Sequence, residues 1–175
     1  MVLDASSVLA PDSSPEKGVR YIILNTLAEV IDEFWVPGTF QQRNSGNLLA
    51  AGFKDGSFSV WSLPRLKLIK STPYLSGRVS SILLDAPRRR VYLGGLGRVA
   101  GVSIENDWTQ MLRGHNNFVS SMALSIDGQL LMTSGDDEPL RFWDIEEARL
   151  LQSFKFRSGW LSSIAIDDQQ GVLTF

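Results

Sequence analysis

Apolar residues along this chain come in short bursts. Leu48–Gly52 (LLAAG), Val91–Gly95 (VYLGG), Leu130–Ser134 (LLMTS) and Val172–Phe175 (VLTF) are each four or five residues long. Runs of this length, rich in Val, Ile, Leu and Phe and punctuated by Asp-Gly, Gly-Arg and Pro-bearing turns, predict β-strands. Leu130–Thr133, the polar stretch Ser134–Pro139 and Leu140–Asp144 read as strand, tight turn, strand; Leu48–Gly52, Phe53–Gly56 and Ser57–Trp61 repeat the pattern. A helix needs apolar positions at a 3.6-residue period over ten or more residues. Only Thr26–Phe34 (TLAEVIDEF) comes close, and its first half also fits a strand.

The bursts recur at a fixed spacing. Val79–Asp85 (VSSILLD), Val119–Ser125 (VSSMALS) and Leu161–Asp167 (LSSIAID) start 40 and 42 residues apart, and each precedes another apolar burst by about a dozen residues. Trp61 and Trp143 lie 82 apart, two periods of 41. A period in the forties signals stacked supersecondary units, and one four-stranded sheet per period around an axis is a β-propeller. The expected architecture is therefore all-β, with blade units at about 19–34, 36–69, 79–112, 114–154 and 161–175 after a flexible segment 1–18. Val19–Leu24 with Leu27–Ile31 supplies the last two strands of one unit. Three full units follow, ending at Leu66–Ile69, Trp108–Leu112 and Leu150–Phe154. Leu161–Ile166 and Val172–Phe175 supply the first two strands of another. Sixteen strands make four blades' worth. A partial propeller, or one completed by another chain, is favoured over a closed four-blade ring, and an open arc leaves strand edges and apolar faces that need a cover.

Composition narrows the chemistry. With 175 residues, 43% of them hydrophobic and 21% charged, the chain has the make-up of an ordinary globular protein. It has no cysteine, which excludes disulfides, thiolate metal sites and a Cys nucleophile. His115 is its single histidine, so one triad base at most is available. No metal or cofactor is expected. A bilayer span needs about 20 nearly uninterrupted apolar residues, and no such run occurs; Asp4–Gly18 is too polar for a secretory signal core. An intracellular protein of nucleus or cytoplasm is expected. Arg65–Ala100 holds eight basic residues against Asp85 alone, which leaves the rest of the chain at −9 within a net charge of −2. Arg88, Arg89 and Arg90 form its densest patch: either a solvated hairpin tip or a surface for an acidic partner or phosphates.

Gly114-His115, Asp127-Gly128, Ser134-Gly135-Asp136-Asp137 and Phe142-Trp143-Asp144 together resemble a nearly complete WD repeat. Leu48–Trp61 resembles the second half of another, with Ser62 in place of the usual Asp. The unit around Val79–Ile104 is degenerate: it lacks Gly-His, and Ser103 sits near the Trp position. The resemblance implies a buried polar network in which His115 bonds Asp137 and Thr133 or Ser134 relays to the Trp143 indole, with Asp55 and Trp61 as the matching positions one unit earlier. Such groups must be paired when buried, at a cost of about 1–3 kcal/mol each if they are not, so the role of His115 reads as structural. The resemblance also implies a partner-binding rim formed by Lys54, Arg78, Ser80, Phe118, Ser120, Asp136, Trp160 and Ser162. Aromatic and Arg residues are the usual anchors of binding hot spots; the alternative is that Phe118 and Trp160 pad loops between blades.

Taken together these features imply a non-catalytic scaffold that binds other proteins within a multi-subunit assembly. Asp136, Asp137 and Glu138 are the nearest thing to a catalytic cluster, and Asp137 is already claimed by the network. The order of a degenerate blade (Ser81–Gly95) followed by the best repeat (Gly114–Phe154) is similar to the family of WD-repeat subunits of the nuclear complex acting on large ribosomal subunit precursors, which implies a role in ribosome biogenesis. The alternative is recognition of phosphate, RNA or a phosphoinositide headgroup by Arg88–Arg90, although that tip lacks interleaved aromatics for stacking bases.

Overall fold

The computed structural model describes residues 19–24, 30–36, 39–45, 47–63, 65, 67–137, 139–155, 163–167 and 172–174, with side chains between Asn47 and Ile166. It falls into two compact units, 1–39 and 40–175, and every described element is a β-strand or a turn. In the first unit β1 (Val19–Leu24) pairs antiparallel with β2 (Val30–Val36), Val19 opposite Val36. β2 lies further along than the expected Leu27–Ile31. Val30, Ile31, Phe34, Trp35 and Val36 are β-branched or aromatic residues, which suit a pleated strand over a helix; the earlier part of the ambiguous stretch, 26–29, lies outside the described residues.

The second unit holds three four-stranded antiparallel blades. The first is β3 (Thr39–Ser45), β4 (Leu48–Phe53), β5 (Ser57–Ser62) and β6 (Lys67–Pro73), paired in chain order. The next two share one continuous hydrogen-bonded run of six strands: β7 (Ser81–Asp85), β8 (Arg90–Ser103), β9 (Thr109–Leu124), β10 (Leu130–Gly135), β11 (Leu140–Asp144) and β12 (Arg149–Phe154). Two of these strands are long because each serves twice. The first half of β8 pairs with β7, Ser81 opposite Gly94, while its second half pairs with β9, Val102 opposite Thr109. Its two ends meet where Ile104 N–H donates to the Arg89 carbonyl at 2.8 Å, so β8 folds back on itself at Leu96–Gly97. Gly97 has φ +72°, a conformation that costs glycine nothing and an L side chain about 1 kcal/mol or more. Likewise β9 gives Thr109–Arg113 to one blade and Val119–Leu124, paired with β10, to the next. Finally β13 (Ala165–Asp167) pairs with β14 (Val172–Thr174).

Alternation along the strands sends successive side chains to opposite faces, and each face meets a neighbouring blade. Phe58 and Val60 of one blade pack with Ile82, Val91, Leu93 and Val102 of the next. On the other face of that middle blade, Tyr92, Val99 and Leu112 pack with Val119, Leu131 and Trp143. Beyond it Met132 and Leu140 pack with Ile164. Leu131 and Met132, adjacent in sequence, thus belong to two different cores. Trp61 and Trp143 share a further detail: the pairing with the outer strand slips by one residue immediately before each of them, a β-bulge that increases local twist.

The faces differ sharply in exposure at the outer edge. Leu131 is fully buried, whereas Leu150 on β12 is 42% exposed. Leu131→Ala is expected to lower unfolding free energy by about 2–5 kcal/mol, as for a well-packed core leucine, and Leu150→Ala to change it by less than about 0.5 kcal/mol. Urea titration of the two variants checks the contrast; equal losses would mean that the cores lie elsewhere.

Candidate interaction site

His115 sits within β9 between its two halves, where one blade hands the chain to the next, and its side chain is nearly fully buried. Nδ1 lies 2.7 Å from Asp137 Oδ1 and Nε2 lies 2.7 Å from Thr133 Oγ1. The Trp143 indole N–H donates to that same hydroxyl oxygen at 2.8 Å. Asp137, held ionised, can only accept, so Nδ1–H donates to it; in a neutral ring Nε2 then accepts the Thr133 hydroxyl proton, while Arg141 Nη1, 2.7 Å from Nδ1, has its own acceptor in the Asp137 carboxylate. The donors then run in one direction, from indole to carboxylate. Asp137 Oδ2 accepts from the Asn116 main-chain N–H at 2.8 Å and from Arg141 Nη1 at 2.9 Å. The network clips the strand carrying His115 to the turn carrying Asp137, and both to the body of the blade.

The electrostatics agree with a neutral ring. Burial drives the His115 pKa below its ordinary value; the Asp137 hydrogen bond opposes this, and the Arg141 charge reinforces it. Burial pushes Asp137 upward, but the His115 bond, the Asn116 N–H and the charges of His115 and Arg141 together hold its carboxyl below the usual carboxylate range. The relay is Thr133; Ser134 is buried beside it, its carbonyl facing the Ser120 hydroxyl at 3.4 Å. The matching positions in the preceding blade behave differently. Asp55 is exposed and spends its carboxylate within its own turn, on the Ser57 N–H at 2.9 Å and the Ser57 hydroxyl at 2.6 Å. Trp61 is half-buried on β5 opposite Leu49. Asp55 and Trp61 are thus a correction to the expected second network: the residue matching Thr133 there is Ala51, ten before Trp61, and the chain has no second histidine.

Around this clip lies a mixed rim. The Arg78 guanidinium stacks 4.0 Å from the Phe118 ring centroid, Leu96 pairs with Phe118 across β8 and β9, and the Phe118 carbonyl accepts the Asp136 N–H at 2.9 Å. Arg78 and Phe118 are half-buried, Asp136 and Lys54 are exposed, and Leu96 is 52% exposed. Leu96 is the member that the sequence reading missed; an apolar residue directly before the turn glycine Gly97 was the available signal. Ser120 is half-buried near Ser134. Ser80 is a correction: it is buried, its hydroxyl donating to the Val119 carbonyl at 2.7 Å and facing that of Gly94 at 3.1 Å, because neighbouring inner strands come too close there to leave it facing solvent. Trp160 and Ser162 lie outside the described residues.

Arg88, Arg89 and Arg90 follow one another at the far end of the middle blade and correct the picture of a free basic tip. Arg88 faces the buried Asp85 carboxylate at 3.3 Å and the Ile126 carbonyl at 3.2 Å. Arg89 pairs with Glu105 at 2.8 Å, and Arg90 stacks on Trp108 at 4.1 Å. Arg88 and Arg89 are thus paired within the protein, while Arg90 is stacked and faces no carboxylate among the described residues. Among the described residues no group of three or more His, Cys, Asp or Glu side chains is placed to hold a metal ion, and no helix is long and apolar enough to cross a membrane.

Comparison with known proteins accords with this geometry. Residues 107–144, which contain His115, Thr133, Asp137 and Trp143, match the family described as WD domain, G-beta repeat. The chain is 30% identical over 101 residues to periodic tryptophan protein 2 homolog of Mus musculus, covering 56% of this chain and 11% of that protein. It is 23% identical over 170 residues to WD repeat-containing protein 18 of Danio rerio, covering 89% of this chain and 38% of that one. The chain therefore spans well under half the length of either relative. Among solved structures, the computationally designed Ika4 protein superposes with a TM-score of 0.66 at 18% identity, over 78% of this chain and 89% of that one. The chain carries a WD repeat, and its fold is that of propeller blades.

The lowered His115 pKa has a readable consequence. The unfolded chain binds a proton near pH 6.5 that the folded state resists, so stability is full above that pH and falls as pH drops below it; Asp137 adds a loss of the same sign below about pH 4. His115 being the single histidine, the melting temperature is expected to fall between pH 7 and pH 5. His115→Gln should melt lower at pH 7, by the equivalent of about 1–3 kcal/mol, with a flatter slope. Parallel slopes in the two proteins would refute the neutral-ring assignment.

Proposed function

We propose that this chain, carrying a WD repeat on propeller blades, is a non-catalytic scaffold that binds other proteins in a multi-subunit assembly through the rim around Phe118. The observation that carries the reading is the patch itself. A half-buried aromatic ring held flat by Arg78, an exposed leucine beside it and an exposed Asp136 at the margin make an apolar centre with a charged border, the composition of an interface anchor. WD-repeat proteins generally serve as protein-interaction scaffolds, and the buried polar network of His115 supplies the rigidity that such a rim needs rather than reactivity: its carboxylate is saturated and its imidazole enclosed.

The finer reading is a role in building the large ribosomal subunit, with a nuclear location following from it. Its support is the order of a degenerate blade directly before the best-formed repeat, and the similarity over 101 residues to periodic tryptophan protein 2 homolog, a ribosome-biogenesis protein. The pairing of Arg88 with Asp85 and of Arg89 with Glu105 weighs against recognition of RNA or a phosphoinositide headgroup as the main activity. The outer strand β12 carries Leu150, Leu151 and Phe154, each more than 40% exposed; in this reading further β-structure of another chain covers that edge.

Phe118→Ala and Leu96→Asp are expected to abolish co-purification of partner proteins from a cell extract while leaving the melting temperature within about 2 °C of the unaltered protein. Retention of every partner by both variants would overturn the rim assignment, and unfolding of Phe118→Ala would make that ring padding rather than anchor.

A further inference from the structure

At the opposite end of the same two blades the chain turns at Ala86–Arg89 and at Ile126–Gly128, and again at Ile104–Asp107 and Ile145–Ala148. Between them is a pocket of about 380 Å³ whose wall includes Arg88, Arg90, Trp108, Asp127, Ile145 and Glu146. That volume is at the small end of specific ligand sites, room for about two side chains rather than a folded surface.

The two arginines of the wall are fixed in different ways. Arg88 is held between Asp85 and the Ile126 carbonyl, and Gly128 makes room for it: a Cβ on Gly128 would collide with the guanidinium, on a backbone already at φ +67°. Arg90 is held flat on Trp108, which is braced edge-on by Tyr92. Among the described residues Arg88, Arg89, Arg141 and Arg149 each face a carboxylate; Arg90 faces none. Beside it lies the buried Tyr92 hydroxyl, whose pKa burial raises and the neighbouring Arg90 guanidinium lowers. A planar guanidinium locked by stacking, with its edge donors unclaimed by a carboxylate, is preorganised to receive one in a bidentate pair.

Charge then selects the kind of ligand. Two guanidinium groups and two carboxylates share the wall, so its formal charge is zero and a polyanion gains little there. A segment carrying an acidic residue near a basic one matches both signs. Ile126, whose carbonyl holds Arg88, is 82% exposed and offers an apolar surface for the residues in between.

We propose that this pocket is a second protein-binding site, which takes an extended segment of a partner through an acidic side chain received by Arg90, with a nearby basic residue set against Asp127 and Glu146. It shares with the scaffold reading only the premise that the ligand is a protein; it lies at the other end of the blades from the Phe118 rim.

The test uses the full chain labelled with nitrogen-15 and the peptide acetyl-Leu-Glu-Leu-Lys-amide, following the Trp108 indole N–H resonance, which Trp108→Phe identifies. A saturable shift is expected, weakened at least tenfold when the peptide's Glu is replaced by Gln and weakened likewise by Arg90→Gln. Arg113→Gln and Leu96→Asp should leave it unchanged, so that failure of the rim and failure of the pocket are told apart. Absence of saturation, equal binding of the Gln peptide, or tighter binding of inorganic phosphate or oligouridylate would overturn the proposal. Should Arg90→Gln lower the melting temperature, the Glu-to-Gln exchange in the peptide decides the matter on the unaltered protein.

Discussion

Each strand of these blades presents side chains alternately to two faces, and in residues 40–175 both faces of the middle blade are dry. That constraint governs most of the sequence. A sheet packed on one side can alternate apolar with polar, whereas a sheet packed on both sides needs continuous apolar runs, and Val91–Leu93, three successive fully buried residues, is such a run. Val91 and Leu93 complete one core and Tyr92 the next. No blade can bury its own faces, so the units are stable only as a stack. The stack in turn requires the links between blades to be short and fixed, which is where the polar residues enter.

The Trp143–Thr133–His115–Asp137 chain answers that second requirement. A β-sheet edge can slide by two residues and keep its apolar pattern. A hydrogen-bond chain with one donor and one acceptor at every joint cannot, because a slip leaves a buried indole, imidazole and carboxylate unpaired together. Only one described blade has the full chain. Its neighbours show that the network is one solution among several: the middle blade puts Gly97 at the turn and fills the space near Gly101 with Trp108, and the first blade closes its turn with Asp55 and Ser57 alone. Apolar burial sets the blade; the polar chain sets its register.

Much of this was legible beforehand, for a physical reason. Repeat period, strand length and turn residues are local features, and the three Val/Leu-Ser-Ser segments announced the spacing without help from tertiary structure. The residues of the His115 network were legible because their identities are demanding. What misled was position without chemistry. Asp55 and Trp61 stand at the right spacing, but the relay hydroxyl between them is replaced by Ala51, a single methyl that silences the chain. Ser80 looked like a rim residue because Val79 faces inward; how closely neighbouring inner strands approach is a property of the packed stack and leaves no mark on one strand. The three arginines read as a free cationic tip because their partners, Glu105, Trp108 and the Ile126 carbonyl, come from elsewhere in the chain.

The two ends of a blade pair are therefore unequal for a reason rooted in the same alternation. At the Phe118 end, the chain passes directly from the outer strand of one blade to the inner strand of the next, so side chains of neighbouring blades are covalently close and the polar clip can lock them. At the Arg90 end, each blade turns back on itself, and the two blades meet only through side chains reaching across a gap: Arg88 onto Ile126 and Gln110 onto the Ile145 carbonyl. A gap bridged by long polar side chains leaves volume that a continuous backbone would have filled, and the pocket between the turns follows from that geometry. One pair of sheets thus ends in two chemically distinct ways, a rim locked by the polar clip and a gap bridged by side chains.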